Sequence, residues 1–179
     1  MVIDLKTIGG MRSKGRVFLT LIGLVAMAIS SISCDDPRTF DSYKAVEVNG
    51  WQRNDTATFK VERQWEGTYS MDLGIRANQN YPYKNISLII ERTVIASKKK
   101  KLPNKTYQDT ITCRIISDDG RLVGKRGITN SEITHHVCSF VLERNDSLNI
   151  AVRHIMSKEQ LQGISDVGIR LIRTDKAIK

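Results

Sequence analysis

The segment Tyr69–Ile75, Tyr-Ser-Met-Asp-Leu-Gly-Ile, decides the fold predicted for this chain. Its large apolar residues stand at every second position, and serine, aspartate and glycine stand between them. Successive side chains of a β-strand point to opposite faces of a sheet, so this alternation predicts a strand with one buried face and one wet face.

The same period of two recurs on both sides of this segment. Phe59 and Val61 alternate with polar residues, whereas Ile86–Ile90 is more continuously apolar and predicts a strand buried on both faces. Four later segments alternate as well: Ile111–Ile115, Cys138–Leu142, Leu148–Val152 and Val167–Leu171. Asn-Asp, Asp-Gly and proline-containing turns separate these segments. The pattern therefore predicts an all-β fold, an antiparallel β-sandwich of jelly-roll type with about eight strands, and one helical turn at Ser157–Gln162.

An export signal precedes the predicted sandwich. The segment Val17–Cys34 holds about a dozen mostly apolar residues followed by small ones, which is too short for the roughly 20 residues of a spanning helix. Three basic residues lead into it: Arg12, Lys14 and Arg16. This order of basic, apolar and small residues is typical of a secretory signal peptide.

The end of that signal resembles the lipobox of bacterial lipoproteins. The residues are Ser31-Ile32-Ser33-Cys34, and Ser31 departs from the leucine usually found three places before the cysteine. The resemblance implies that Cys34 is acylated, for example with palmitate, and becomes the first residue of the mature protein. An ordinary cleaved signal and an uncleaved anchor stay open as alternatives. We predict no cofactor besides this covalent lipid.

The chain divides into three parts by these criteria. Residues 1–33 are predicted to be a lipoprotein signal peptide, residues 34–50 the lipidated N-terminus and a polar tether, and residues 51–179 a single β-sandwich domain. The formal net charge is +9. Nucleic acid is not expected as a partner, because an exported and tethered protein rarely meets it and an aromatic content of 6% is too low for a base-stacking platform.

The densest positive stretch is Lys98–Lys101. It has two open interpretations. One is a solvated hairpin tip that discourages edge-to-edge pairing of strands. The other is attachment to lipid phosphates or acidic glycans, since cations are attracted to anionic surfaces.

Few residues suggest chemistry. Cys113 and Cys138 fall on predicted inward faces, either as two buried thiols or as a disulfide between strands, which an oxidising compartment would allow. His135 and His136 are adjacent, so on a strand they point to opposite faces and cannot chelate together. His154 shares a face with apolar residues and is interpreted as a hydrogen-bonded core histidine. We predict no metal site, and no nucleophile or carboxylate motif indicates an enzyme.

The run Arg76–Ile90, RANQNYPYKNISLII, is the most distinctive stretch after the signal. Pro82 fixes its own φ and pushes Tyr81 toward extended geometry, so the loop that carries Tyr81 and Tyr83 is stiff. Two interpretations remain open. The aromatic rings either form a binding surface or plug the end of the sandwich.

This run resembles the GldH family of gliding-motility lipoproteins. The specific matches are Arg76 with Tyr81-Pro82-Tyr83-x-Asn85, and Gly163-Ile-x-Asp-x-Gly168 near the end of the chain. Less specific matches lie around them, in chain order: Cys34-Asp35, Phe40, Tyr43, Trp51, Asp55, Phe59, Asp109-Thr110 and Asp119-Gly120. The resemblance covers essentially the whole chain after the signal, and departs from the family at Ser31 and at the lysine run.

The resemblance implies an outer-membrane or periplasm-facing lipoprotein of the cell envelope that supports the gliding apparatus and the secretion system linked to it. We expect this protein to be non-enzymatic and to lie in the outer membrane. Its expected partners are the membrane and other gliding or secretion envelope proteins. Family members also occur in bacteria that do not glide. The alternative function is a lipid-anchored carbohydrate-binding module, with Tyr81 or Tyr83 stacking on glycans. The resemblance implies no catalytic residue.

Overall fold

The computed structural model describes residues 38–47, 49–97 and 102–175. The predicted signal peptide 1–33, the lipidation site Cys34 and the run Lys98–Lys101 lie outside the described residues. Within the described ranges the chain forms β-strands and no helix. Accordingly, that part of the chain holds no helical segment of the length and apolarity needed to cross a bilayer.

The described residues form eleven strands, of which eight are five residues or longer. The long strands are β1 Arg38–Ala45, β3 Ala57–Val61, β4 Gly67–Ala77, β5 Asn85–Ile95, β6 Lys105–Arg114, β8 Ser131–Leu142, β9 Ser147–His154 and β11 Ile164–Arg173. Three strands have only two residues: β2 Trp51–Gln52, β7 Lys125–Arg126 and β10 Gln160–Leu161.

Two antiparallel sheets make up the sandwich. One has the order β1-β11-β4-β8-β7 and the other β3-β9-β5-β6, with β10 and β2 forming a small separate pair. When only the eight long strands are counted in chain order, the sheets run 1-8-3-6 and 2-7-4-5. This is the strand order of a jelly roll, in which consecutive strands alternate between the sheets except for the fourth and fifth, here β5 and β6, which pair with each other. The predicted antiparallel jelly-roll sandwich is confirmed.

The core lies between the two sheets. Tyr69, Met71, Leu73 and Ile75 of β4 are all 0% exposed, as the alternation in the decisive segment predicts. Facing residues of β3, β5 and β9 complete the core, among them Phe59, Ile86, Leu88, Ile90 and Ile150. Full burial of such a side chain contributes about 1.5–3 kcal/mol each, so this apolar layer is the main source of stability.

Strand β5 differs from its prediction. Its inward residues Ile86, Leu88 and Ile90 are buried, whereas Ser87 and Ile89 on the opposite face are only half-buried. The strand lies centrally between β9 and β6, but nothing in the described structure covers its outer face completely. It is therefore buried on one face, as in an ordinary sandwich.

One further prediction is corrected. Ser157–Gln162 forms bends and the short strand β10 in place of a helical turn, because the backbone N–H of Arg53 donates to the carbonyl of Glu159 and β10 pairs with β2. Within the stretch 34–50, the described residues include β1, which pairs with β11 from Arg38 to Ala45. Its exposed side chains hide the strand from a hydrophobicity pattern, since β1 is an edge strand.

The connections gather at two ends of the sandwich. What we call the Arg38 end holds the start of β1, the end of β11 and the loops 62–66, 96–104 and 143–146, of which 98–101 is not described. The backbone N–H of Gln64 donates to Asp146, and that of Ser97 to the Asp146 carboxylate, which ties the three loops together. The opposite Tyr81 end holds the loops 78–84, 115–124 and 155–163.

Candidate functional site

The family-motif segment occupies the Tyr81 end. Tyr81 is only 2% exposed, and its hydroxyl donates to the carbonyl of Asn85 over 2.8 Å. Burial raises the pKa of this phenol. Tyr83 is half-buried and meets the Tyr81 ring edge-on, with 5.9 Å between ring centroids. Tyr81 therefore plugs the end of the sandwich and offers no face for stacking on a sugar, while Pro82 and Asn85 are exposed.

The second motif segment meets the first at Gly163. This glycine has φ +81°, and a β-carbon on it would overlap the backbone nitrogen of Tyr81. Its carbonyl accepts a hydrogen bond from the backbone N–H of Asn78 over 2.8 Å. Only a glycine allows this approach at a left-handed backbone position. The two most distinctive stretches of sequence thus form one structural joint.

The motif arginine belongs to a different site, on the outer face of the five-stranded sheet. The guanidinium carbon of Arg76 lies 4.0 Å from the centroid of the Tyr43 ring, and its Nε lies 3.4 Å from Glu132 Oε2. Arg170 continues the contacts, with Nη2 3.8 Å from Glu132 and Nε 3.0 Å from Asp41. We call these five residues the outer cluster.

Two glycines place Tyr43 in the outer cluster. Tyr43 pairs with Gly168 on β11, and Gly168 pairs with Gly74 on β4. The ring lies flat across both: a β-carbon on Gly168 would come within 2.6 Å of two Tyr43 ring carbons, and one on Gly74 would overlap its hydroxyl. Burial and the neighbouring Glu132 carboxylate raise the pKa of Tyr43 to about 12, so the phenol is neutral at physiological pH.

The outer cluster borders a groove of about 360 Å³. Arg76 and Glu132 form one wall, and the loop from Arg126 to Asn130 forms the other. Ile128 in that loop is fully exposed. Paired charges and a projecting apolar residue suit recognition of another surface, and the cluster contains no nucleophile beside a base.

The sequence analysis singled out Arg76 in the family motif and named Tyr43 only among the less specific matches to the family. It missed Asp41 and Glu132, which come next to Arg76 through strand pairing. The available signal was the pair Gly74 and Gly168, each in the middle of an apolar strand, since glycine inside a strand often marks a close approach by another group.

The two cysteines are free and lie apart. Burial raises the pKa of Cys113 to about 11. The Cys138 sulfur accepts a hydrogen bond from Arg92 Nη1 over 2.6 Å. Arg92 pairs with Tyr107, and Cys113 stands six positions further along β6, about 20 Å away. A disulfide needs Cα atoms within about 7 Å, so the two cysteines are free thiols in this structure, with Cys113 buried and Cys138 half-buried.

Two histidines, His136 and His154, have structural partners. His154 is 0% exposed, and its Nε2 lies 3.1 Å from the carbonyl oxygen of Trp51, as expected of a core histidine. Burial lowers its pKa. His136 Nδ1 lies 3.2 Å from Asp72 Oδ1. Among the described residues, no group of three or more histidine, cysteine, aspartate or glutamate side chains could hold a metal ion.

Known structures resemble this sandwich only loosely. Eiger TNF from S. frugiperda is 12% identical with a TM-score of 0.30, over 78% of this chain and 95% of its own. A chain in the structure of the infectious bursal disease virus Gx strain is 13% identical with a TM-score of 0.22, over 77% of this chain and 32% of that chain.

Sequence comparison is more decisive. The family model described as GldH lipoprotein matches residues 38–171. The gliding motility lipoprotein GldH of Flavobacterium johnsoniae is 30% identical over 159 residues, which are 85% of this chain and 95% of that protein. The GldH homolog of Christiangramia forsetii is 23% identical over 176 residues, 92% and 99% of the two chains. With the specific motifs placed at one joint and one cluster, these matches show that the chain belongs to the GldH lipoprotein family.

Proposed function

We propose that this chain is a lipid-anchored, non-enzymatic component of the gliding machinery and its associated secretion system, held in the outer membrane through Cys34. The observation that carries the proposal is the 30% identity to a gliding motility lipoprotein across nearly all of that protein's length. The signal that ends in Ser31-Ile32-Ser33-Cys34 supports the anchor.

The proposed mechanism is tethering. Each buried CH₂ of an acyl chain contributes about 0.8 kcal/mol, and one chain alone binds a bilayer only marginally, so two or more chains at Cys34 make the attachment durable. A tethered sandwich is then present at a high effective concentration beside its membrane partners. Modest contacts with those partners are sufficient under that condition.

We place the partner contact at the outer cluster and the adjacent loop. The charges of Arg76, Glu132 and Arg170 already have partners within the cluster, so they are held in position before a partner arrives. Ile128 projects fully into solvent beside them and would fill a pocket on a partner. A central apolar anchor with polar surroundings is the usual anatomy of a protein interface.

Deletion and complementation test the role. Loss of the gene should impair spreading on surfaces or, in a host that does not glide, export of surface adhesins. The wild-type gene should restore the defect, and Cys34→Ala should not. Normal spreading and normal adhesin export in the deletion strain would overturn the proposed role.

Affinity purification of the anchored protein tests the contact. We expect envelope proteins to co-purify with the wild type and to fall at least fivefold with Ile128→Asp. Thr58→Asp is the matched control, since Thr58 is exposed on β3 of the other sheet. If Ile128→Asp retains the same partners as Thr58→Asp, the contact lies elsewhere.

A further inference from the structure

We infer that the Arg38 end of the sandwich lies against an anionic phospholipid bilayer, so that the protein stands on the membrane with its Tyr81 end pointing away. This inference rests on the proposed lipidation of Cys34, but concerns a different property, namely which surface of the domain the bilayer contacts.

Chain connectivity limits the choice of surface. Strand β1 begins at Arg38, four residues after Cys34, and four residues span at most about 14 Å. Strand β4 has eleven residues, which gives the sandwich a length of about 36 Å. A tether of 14 Å at one end of a body of that length keeps the Arg38 end, and not the Tyr81 end, within reach of the bilayer.

Exposed apolar side chains concentrate at this same end. Trp65 is 60% exposed in the loop 62–66, Leu102 is 54% exposed after β5, and Val141 is 71% exposed near the end of β8. Tyr107, near the start of β6, is 45% exposed. Of the large hydrophobic residues exposed in the described ranges, only Ile128 lies away from this end.

These residues have the chemistry of a membrane interface. Leu102, Tyr107 and Val141 line one groove of about 420 Å³ together with Pro103 and Phe140. Tryptophan and tyrosine favour the headgroup level of a bilayer because their rings are amphipathic. Exposure of such residues in water is costly, and contact with acyl chains and headgroups removes that cost.

Cations surround the apolar residues. Arg63 and Arg144 are exposed in the loops at this end, and Lys105 is exposed at the start of β6. The Arg144 guanidinium lies 4.8 Å from the centroid of the Trp65 ring, so an aromatic group and a cation meet the same surface together. Such a combination is attracted to anionic lipid.

The carboxylates at the Arg38 end only partly offset the attraction of its cations to anionic lipid. The Asp146 carboxylate accepts hydrogen bonds from the backbone N–H groups of Ser97 and Glu143 and is 5% exposed. Asp175 is paired with Arg173 over 2.8 Å. Glu62, Glu66 and Glu143 are exposed and oppose the cations, which is why the apolar contacts are needed as well.

The two tryptophans provide the test. Trp65 lies at the Arg38 end, whereas Trp51 is 1% exposed inside the sandwich. The mature lipidated protein is reconstituted into vesicles that contain phosphatidylglycerol and brominated phospholipids. We expect the bromine atoms to quench the Trp65 fluorescence at least twofold, and Trp65→Phe to remove that quenching. In the control Trp65→Phe/Ile128→Trp, the new tryptophan should stay unquenched.

The outcomes separate this inference from the proposed anchor. If the protein floats with the vesicles but Trp65 is not quenched, or if the tryptophan at position 128 is quenched equally, the orientation is wrong and the anchor stands. If the protein does not float with the vesicles at all, the anchor fails. Two results would overturn the assignment of an anionic surface. One is Trp65 quenching that is equally strong on vesicles of pure phosphatidylcholine. The other is Trp65 quenching that stays unchanged in the triple variant Arg63→Gln/Lys105→Gln/Arg144→Gln.

Discussion

Tyr43 lies with its ring flat on Gly168, so close that a β-carbon on Gly168 would come within 2.6 Å of two ring carbons. The contact is made across the pairing of β1 with β11. It holds Tyr43 where the guanidinium carbon of Arg76 lies over the ring, 4.0 Å from the ring centroid. The position of the outer cluster thus depends on the absence of a side chain at Gly168.

Gly168→Ala should therefore displace Tyr43 and destabilise the fold by about 1–3 kcal/mol, the usual cost of overpacking. Urea denaturation of the wild type and the variant measures the change. In the double variant Gly168→Ala/Tyr43→Ser the clash is absent, so the cost of the alanine should fall to less than about 1 kcal/mol. An equal cost in both backgrounds would show that the ring is not what the methyl group meets.

Gly163 and Gly120 provide a matched pair for the joint at the Tyr81 end. Their φ angles are +81° and +80°, but only Gly163 is approached by the Tyr81 backbone, whereas nothing lies within 4 Å of a β-carbon on Gly120. Alanine at either site incurs the strain of a left-handed backbone, about 1–2 kcal/mol. Gly163→Ala should cost at least about 2 kcal/mol more than Gly120→Ala in urea denaturation. Similar costs would contradict the joint.

Acid should weaken the fold through His154. Burial lowers the pKa of His154 in the folded protein from the ordinary value of 6.5. As the pH falls below 6.5, the His154 imidazole therefore binds a proton in the unfolded chain before it does so in the folded protein. Stability is then present above that pH and is lost as the pH falls below it. The urea midpoint should drop between pH 7 and pH 5. His154→Phe should lower the midpoint at pH 7 and flatten this dependence, and an equally steep dependence in that variant would assign the acid loss to other groups.

Alkali should weaken the fold through Cys113. Burial raises the pKa of its thiol from 9.0 to about 11 in the folded protein, so the unfolded chain loses its proton first as the pH rises. The stabilisation is complete below pH 9 and is lost between pH 9 and 11, up to about 2–3 kcal/mol. Cys113→Ala should reduce the slope of unfolding free energy against pH in that range. An unchanged slope would assign the alkaline loss to other groups.

Thiol labelling gives an independent measure of the cysteines. In the native protein at pH 8, Cys113 should resist a thiol reagent, because it is 1% exposed and protonated. In urea, Cys113 and Cys138 should both react without prior reduction. A requirement for reductant would contradict the free thiols.

The sequence alone determined the parts of this protein that depend on local pattern. The alternation at Tyr69–Ile75 predicts which face of β4 is buried, because side-chain direction in a strand depends only on position along the chain. The core role of His154 and the family also follow from residues close together in sequence, and the signal that ends at Cys34 stays a prediction of the same kind. The stiff loop around Pro82 was recognised in the same way, although its two interpretations stayed open.

Only the tertiary structure decided what depends on contacts between distant residues. Strand β1 has too few buried side chains to show a hydrophobic period, and its strand character comes from hydrogen bonds to β11, more than 120 positions later. Glu132 reaches Arg76 only because β8 pairs with β4. The burial of Tyr81, the separation of Cys113 from Cys138 and the gathering of Trp65, Leu102 and Val141 at one end likewise follow from strand order, which no local pattern of side chains encodes.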